Sequence, residues 1–332
     1  MYFIKRIFSL DLHRMKDIIG KIAKRSNKSP VLIFLDIVIS AFCFGSGYMD
    51  YYVFNFEELS YRQRSTYITR TINNNYLKKM NNPGFYHIFN DKPTFLKTYQ
   101  EYIKRDYVNL KECSYDDYQT FIAKHQVFVG KPIDGQCGYG VEVIDAHGKD
   151  IKELYDVLKN HGQFLLEEKI IQDQKMSALY PCAINTIRIV TCLKDGQVHI
   201  LFSALRIGNK GKVVDNFNNG GMFSVIDEDG VIRKPAIDKE GIVYDVHPYT
   251  GTPIVGFEIP HFAEMIELCK KMAYITPENG LTGWDICATD QGIDVVEGNQ
   301  LPGYDIYQSK PHLNEDRLGI KPRFDAVING RK

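Results

Sequence analysis

From Val127 onward the chain is written in short runs of β-branched and aromatic residues separated by Gly- and Asp-rich turns, so its middle and end read as β-rich. Residues 127–132 (VFVGKP) and 140–144 (GVEVI) predict two strands around a glycine-rich loop, residues 151–160 a helix, and residues 163–168 (QFLLEE) a third strand. Residues 186–193 and 198–205 alternate around Lys194-Asp195-Gly196-Gln197, a hairpin signal of the Asp-Gly type. Phe262, Met265, Ile266, Cys269, Met272 and Ala273 recur at helical spacing within residues 260–273. Residues 284–288 and 293–297 predict a closing hairpin.

The first third is different. Residues 1–30 hold eight Lys/Arg against Asp11 and Asp17, while the whole chain balances 41 basic with 41 acidic residues. Ile4, Ile7, Phe8, Leu12, Met15, Ile18, Ile19 and Ile22 recur at three- and four-residue steps, one apolar stripe on a basic helix. Such a helix either lies on anionic lipid or a partner, or packs on its own domain with a solvated basic face. Residues 31–45 are the most apolar stretch, but about 15 residues with Asp36 at their centre fall short of the roughly 20 that span a bilayer. No signal peptide is predicted, because charges recur from Lys5 through Lys28 with no small-residue cleavage site behind a clean apolar core. Residues 48–83 are rich in Tyr, Asn and Arg, show no βαβ alternation, and predict mostly helix. Asn81-Asn82-Pro83-Gly84 is a breaker cluster and marks a first boundary, after which Asp91 caps a helix with Pro93 in its first turn.

Composition narrows the classes of function. With 44% apolar and 25% charged residues, 332 residues can bury one large core or two smaller ones. A neutral chain lacks the broad positive field of nucleic-acid binders, so no nucleic-acid partner is expected. The seven cysteines are scattered without a C-x-x-C pair, as in reduced thiols of a cytoplasmic protein.

Two segments carry chemistry. In residues 127–141 (VFVGKPIDGQCGYGV), Lys131 precedes a proline and projects from a strand end, while Gly135, Gly138 and Gly140 free backbone N–H groups to turn toward an anion, an outline of a phosphate cradle that is equally a structural glycine turn. In residues 283–303 (GWDICATDQGIDVVEGNQLPG), Glu297 and Asn299 are two apart on a strand and share a face. A three-residue loop at Asp290-Gln291-Gly292 would set Asp285 opposite Glu297, giving two carboxylates and an amide oxygen suited to Mg²⁺. A one-residue slip would send Asp285 to the other face.

A lysine and glycine loop followed about 150 residues later by an acidic hairpin resembles the ATP-grasp superfamily over about residues 91–303, most like the sugar-transfer-associated ATP-grasp proteins of polysaccharide gene clusters. The resemblance implies that Lys92 and Lys131 bind ATP phosphates, that residues 134–140 close over them, and that Glu167, Glu168 and Ile170 of residues 164–170 (FLLEEKI) hold adenine. It places Mg²⁺ on Asp285, Glu297 and Asn299, and charge stabilisation on Arg188 or Arg206, with Asn216 in an Asn-rich, double-glycine loop near the γ-phosphate. The arginine that D-alanine-D-alanine ligases carry two residues before the metal aspartate is replaced here by Gly283, so Arg188 or Arg206 must substitute. His247, His261 and His312 read as surface or satisfied core groups, and Cys137 sits inside the glycine loop.

The expected architecture is α+β, an ATP-grasp fold of two α+β subdomains clamping ATP: a mainly helical region over residues 1–90, a small subdomain over 91–170 and a large one over 171–332. The resemblance implies an ATP- and Mg²⁺-dependent ligase, active in cell-surface polysaccharide synthesis, that couples a carboxylate to an amine or hydroxyl through an acyl phosphate. The alternatives are a kinase acting on a hydroxyl and a nucleotide-binding scaffold for glycosyltransferases. Expected partners are a small-molecule or glycan carboxylate, a glycosyltransferase, and the inner face of the membrane through residues 1–28.

Overall fold

A computed structural model describes residues 11–134, 139–212 and 214–330. From its start the described chain runs through five helices, α1 (Leu12–Ser26), α2 (Pro30–Phe44), α3 (Tyr48–Val53), α4 (Tyr61–Arg64) and α5 (Arg70–Met80), then α6 (His87–Asn90) and α7 (Lys92–Thr98). Next come β1 (Tyr107–Asn109), α8 (Tyr115–Lys124), β2 (Val127–Lys131), β3 (Glu142–Asp145), α9 (Ile151–Asn160), β4 (Leu165–Glu168) and α10 (Gln174–Leu179). The remainder is β5 (Ile187–Lys194), β6 (Gln197–Ile207), β7 (Met222–Val225), β8 (Ala236–Asp238), β9 (Val243–Tyr244), α11 (Phe262–Ala273), β10 (Leu281–Thr289), β11 (Gly292–Asn299) and α12 (Lys321–Ile328).

The chain divides into one unit of residues 1–79 with 303–332 and another of residues 80–302. The C-terminal thirty residues therefore group with the helical region and not, as the sequence suggests, with the large subdomain. Side-chain pairing explains this: Gln308 Oε1 accepts the Ile68 N–H, Tyr304 donates to Asp50, and Tyr76 to Asp325. In the helical unit Ile18 and Ile22 of α1 pack with Ile33 and Ile37 of α2 and with Phe54, Phe56 and Tyr67. The stripe of α1 thus faces a core; Ile4, Ile7 and Phe8 lie outside the described residues. No single described helix is long and apolar enough to cross a membrane.

The second unit holds two antiparallel sheets. The smaller runs β1-β4-β2-β3, and one of its faces buries Phe128 and Leu166 against Tyr118, Phe121 and Ile122 of α8 and Leu154 and Leu158 of α9. The larger runs β11-β10-β5-β6-β7-β8-β9, with Trp284, Ile286 and Ala288 in a core shared with Met265, Cys269 and Met272 of α11. The predicted strand pairs and the helices at 151–160 and 260–273 form where the periodicity puts them, because alternation and the 3.6-residue repeat both bury one face only. Asp91 caps α7 by accepting the Thr94 N–H at 2.9 Å.

The breaker cluster also locks the closing hairpin. Asn81 Nδ2 donates to the carbonyls of Leu281 (2.8 Å) and Gln300 (2.7 Å), and its Oδ1 accepts the Leu281 N–H (2.8 Å), so one buried amide holds the start of β10 and the residue after β11. Asn81→Ala would orphan a buried N–H and two carbonyls, and the expected loss is about 3 kcal/mol, measured by urea unfolding.

Candidate active site

The turn between β10 and β11 has two residues, Asp290 and Gln291, with Thr289 paired to Gly292. That register alone would set Asp285 opposite Val296 and turn Glu297 away. A β-bulge restores the alignment: the register shifts between Asp285 and Ile286, so that Ile286 pairs with Val295 but Asp285 with Glu297 and Gly283 with Asn299. The predicted juxtaposition is present, produced by a bulge at Val296 instead of a three-residue loop.

Asp285 is 1% exposed and is gripped from the neighbouring strands. Arg188 stands directly across on β5 and engages both carboxylate oxygens, its Nη2 lying 2.7 Å from Oδ2. Arg206 on β6 adds a 2.7 Å bond to Oδ2 and approaches Asp215 at 3.6 Å. Gly283 makes room for this: a Cβ there would stand 3.1 Å from Arg188 Cδ. The stem of Arg188 thus crosses the surface that glycine leaves open at position 283.

The two carboxyls are driven apart electrostatically. Burial opposes ionisation of Asp285, but Arg188 and Arg206 outweigh it and hold the group below the usual carboxylate range. Burial and the Asp285 charge push Glu297 up. Asn299 Nδ2 donates to Glu297 at 3.3 Å, so the amide oxygen and both carboxyls share one place. A carboxyl whose ionisation burial and a neighbouring anion oppose is favoured as the anion by a divalent cation, and the all-oxygen donor set fits Mg²⁺.

A second cluster lies on the small sheet. Lys131 Nζ bonds Glu167 Oε2 at 2.7 Å, as their diagonal places on β2 and β4 allow. Glu167 also receives Arg105 Nε at 2.6 Å. Burial opposes its ionisation, but Arg105 and Lys131 hold its carboxyl down to about 2. Glu168 points to the opposite face, where it accepts the Asp106 N–H at 3.0 Å. The two glutamates expected together at an adenine edge therefore serve different surfaces; Ile170 follows β4 and is half-buried. Lys92 donates to the Ile133 carbonyl at 3.3 Å, and burial lowers its pKa while the Glu297 charge counters. Gly140 adopts φ +73° and its carbonyl accepts Gln163 Nε2 at 2.7 Å. Gly135, Gly138 and Cys137 lie outside the described residues.

The Asn216 carbonyl accepts the N–H groups of Asn219 (2.9 Å) and Gly221 (3.1 Å), closing the Asn-rich turn before β7. Only glycine fits at 221, where a Cβ would lie 2.2 Å from the Asp215 carbonyl oxygen. Asp215 is fixed by the backbone N–H (3.0 Å) and hydroxyl of Thr186. His247 is fully buried, with Nε2 2.9 Å from the Gly208 carbonyl and Nδ1 accepting from Tyr249, a satisfied core histidine.

The residue that sequence reading missed is Arg105. Buried to 6% exposure, it bonds Glu167 on β4, Asp294 on β11 (3.0 Å) and the carbonyls of Val295 (2.5 Å) and Val296 (3.3 Å) at the bulge. A lone arginine between a helix and a strand carries no local signal; only its four partners reveal it.

A lysine-bearing antiparallel sheet beside a second sheet that presents two carboxyls, an amide and two arginines is the arrangement of an ATP-grasp protein. The chain belongs to the sugar-transfer associated ATP-grasp family, whose model matches residues 71–310. No match was found among curated proteins. Solved structures resemble it distantly. A purK N5-carboxyaminoimidazole ribonucleotide synthetase in complex with ADP aligns at 13% identity and TM-score 0.44 over 73% of this chain and 52% of that one. The ATP-grasp ligase PsnB with its minimal precursor aligns at 14% and 0.46 over 83% and 73%, and the D-alanine-D-alanine ligase of Helicobacter pylori at 13% and 0.42 over 74% and 62%. The chain spans about half the length of the synthetase.

Arg105→Met would leave Glu167 and Asp294 buried without their shared cation, and the expected cost is about 3–5 kcal/mol in urea unfolding. Because the carboxylate of Glu167 is stabilised by folding, stability from this cluster is full above about pH 4.5 and falls as pH drops toward 2.

Proposed function

We propose that the protein is an ATP- and Mg²⁺-dependent, ADP-forming ligase that couples a carboxylate to an amine or hydroxyl, in the assembly of a cell-surface glycan. The observation that carries this reading is the bulge-set alignment of Asp285, Glu297 and Asn299 on one face, beside Arg188 and Arg206. A protein that merely bound nucleotide would have no need to bury two carboxyls side by side and to hold one of them ionised with two arginines.

In this reaction a substrate carboxylate oxygen attacks the γ-phosphorus, the bond to the β,γ-bridging oxygen breaks and ADP leaves. The amine or hydroxyl then attacks the acyl carbon, releasing inorganic phosphate and a proton. Lys92 and Lys131 supply fixed positive charge for the phosphates. Arg188 and Arg206, already oriented by Asp285, offer guanidinium N–H groups to charge that builds on the transferring phosphoryl group and on the acyl oxygen. Asp285, Glu297 and Asn299 would hold Mg²⁺, which when bound neutralises charge on phosphate oxygens. Polysaccharide chemistry is favoured by the family description, sugar-transfer associated.

Incubation of the purified protein with Mg-ATP and a pool of cytoplasmic metabolites is expected to form ADP only when the pool is present. AMP as the product would overturn the acyl-phosphate route. Asp285→Asn and, separately, Asn299→Ala are expected to lower ADP formation by ~10²-fold or more with the circular dichroism spectrum unchanged. Normal turnover in both variants would sink the metal assignment. Because burial and Asp285 raise the pKa of Glu297, its proton competes with the metal. Mg²⁺ titrations of ATP binding should therefore show weaker affinity as pH falls from neutral, and a flat profile would contradict the assignment.

A further inference from the structure

The most apolar helix of the protein is apolar on both sides. Ile33, Ile37 and Phe44 of α2 point into the core of the helical unit. The other side is open: Val31 is 66% exposed, Leu32 62% and Phe42 72%, with Leu35, Val38 and Ile39 exposed between them. At 100° per residue these positions sweep an arc of about 120°, a third of the helix circumference. Isolated exposed leucines are ordinary, but a continuous apolar arc of this width marks a surface that another phase or molecule covers.

Three features identify the occupant. Asp36, the one charge in α2, is turned to the protein side, where Arg64 grips both its oxygens at 2.6 and 2.7 Å and Tyr51 donates at 2.6 Å. It therefore leaves the open arc uncharged. The adjoining helix α1 carries five Lys/Arg against one Asp, and Lys16, Lys21 and Lys24 are exposed and make no ion pair among the described residues. The two helices are bent by 113° at their junction. At 1.5 Å per residue α2 is about 22 Å long, short of the roughly 30 Å hydrocarbon core, so it suits lying in the interface and not crossing it. Uncompensated lysines beside a broad apolar arc match anionic headgroups above acyl chains.

We propose that α2 is a monotopic membrane anchor that beds its open arc in an anionic bilayer, with the lysines of α1 meeting the headgroups. In α1 the stripe residues Ile18 and Ile22, which the sequence offers either to lipid or to a core, are spent on the core, and the contact passes to the next helix. The inference stands apart from the catalytic reading and needs no nucleotide to test.

The full chain would be floated with vesicles of phosphatidylcholine and of phosphatidylcholine mixed with phosphatidylglycerol. It is expected to float with the mixed vesicles more than with the neutral ones. The triple variant Leu35→Ser, Ile39→Ser, Phe42→Ser should lose binding by ~10-fold or more on both, with an unchanged thermal melt. Lys16→Glu, Lys21→Glu, Lys24→Glu, which leaves the apolar arc intact, should remove the preference for the mixed vesicles, and this second variant decides the matter if the first does not fold. Absence of flotation with either vesicle, or unaltered flotation of the folded variants, would overturn the proposal. So would a concentration-dependent dimer abolished by the serine substitutions without vesicle binding, which would assign the face to a second copy.

Discussion

One buried guanidinium holds the two sheets of the larger unit in working relation. Arg105 joins Glu167 on the small sheet to Asp294 and to the bulge carbonyls on the large one. Burial opposes its charge, but the two carboxylates outweigh that and raise its pKa. Every bond it makes is charge-assisted and ends on a carboxylate or on a carbonyl at the bulge, so its loss would strand two anions and loosen the bulge together. Glu167 in turn positions Lys131, so the lysine that we propose meets the phosphates is set by Arg105 through Glu167.

The bulge decides what the acidic hairpin presents. Side chains in a strand alternate with period two, so without the extra residue Asp285 and Glu297 would stand on opposite faces. With it they meet, and the two arginines of β5 and β6 hold Asp285 ionised while Glu297 is pushed toward its protonated form. The antiparallel register places Arg188 across from Asp285, and Gly283 clears its path.

The helical unit follows a different logic. Its core is aromatic, with Phe54, Phe56 and Tyr67 in edge and tilted contacts, and its C-terminal segment is tied in by Gln308, Tyr304 and Asp325. Helix α2 carries apolar residues on both sides, so Ile33 and Ile37 pack inside while Val31, Leu32 and Phe42 stay exposed.

The sequence by itself placed strands at 127–132, 186–193 and 284–288, helices at 151–160 and 260–273, and the residue types of the site, because periodicity and turn chemistry are local. Lys131, Asp285, Glu297 and Asn299 were legible for the same reason: a carboxyl or amide among apolar strand residues is conspicuous without any fold. Only the tertiary structure decided the two-residue turn with its bulge, the opposite faces of Glu167 and Glu168, the grip of Arg188 on Asp285, the place of Arg105, and the return of residues 303–332 to the helical unit. Apart from the bulge, which lies within one hairpin, each depends on partners between 62 and 249 residues away in sequence, and no local pattern encodes which of many buried polar groups will meet.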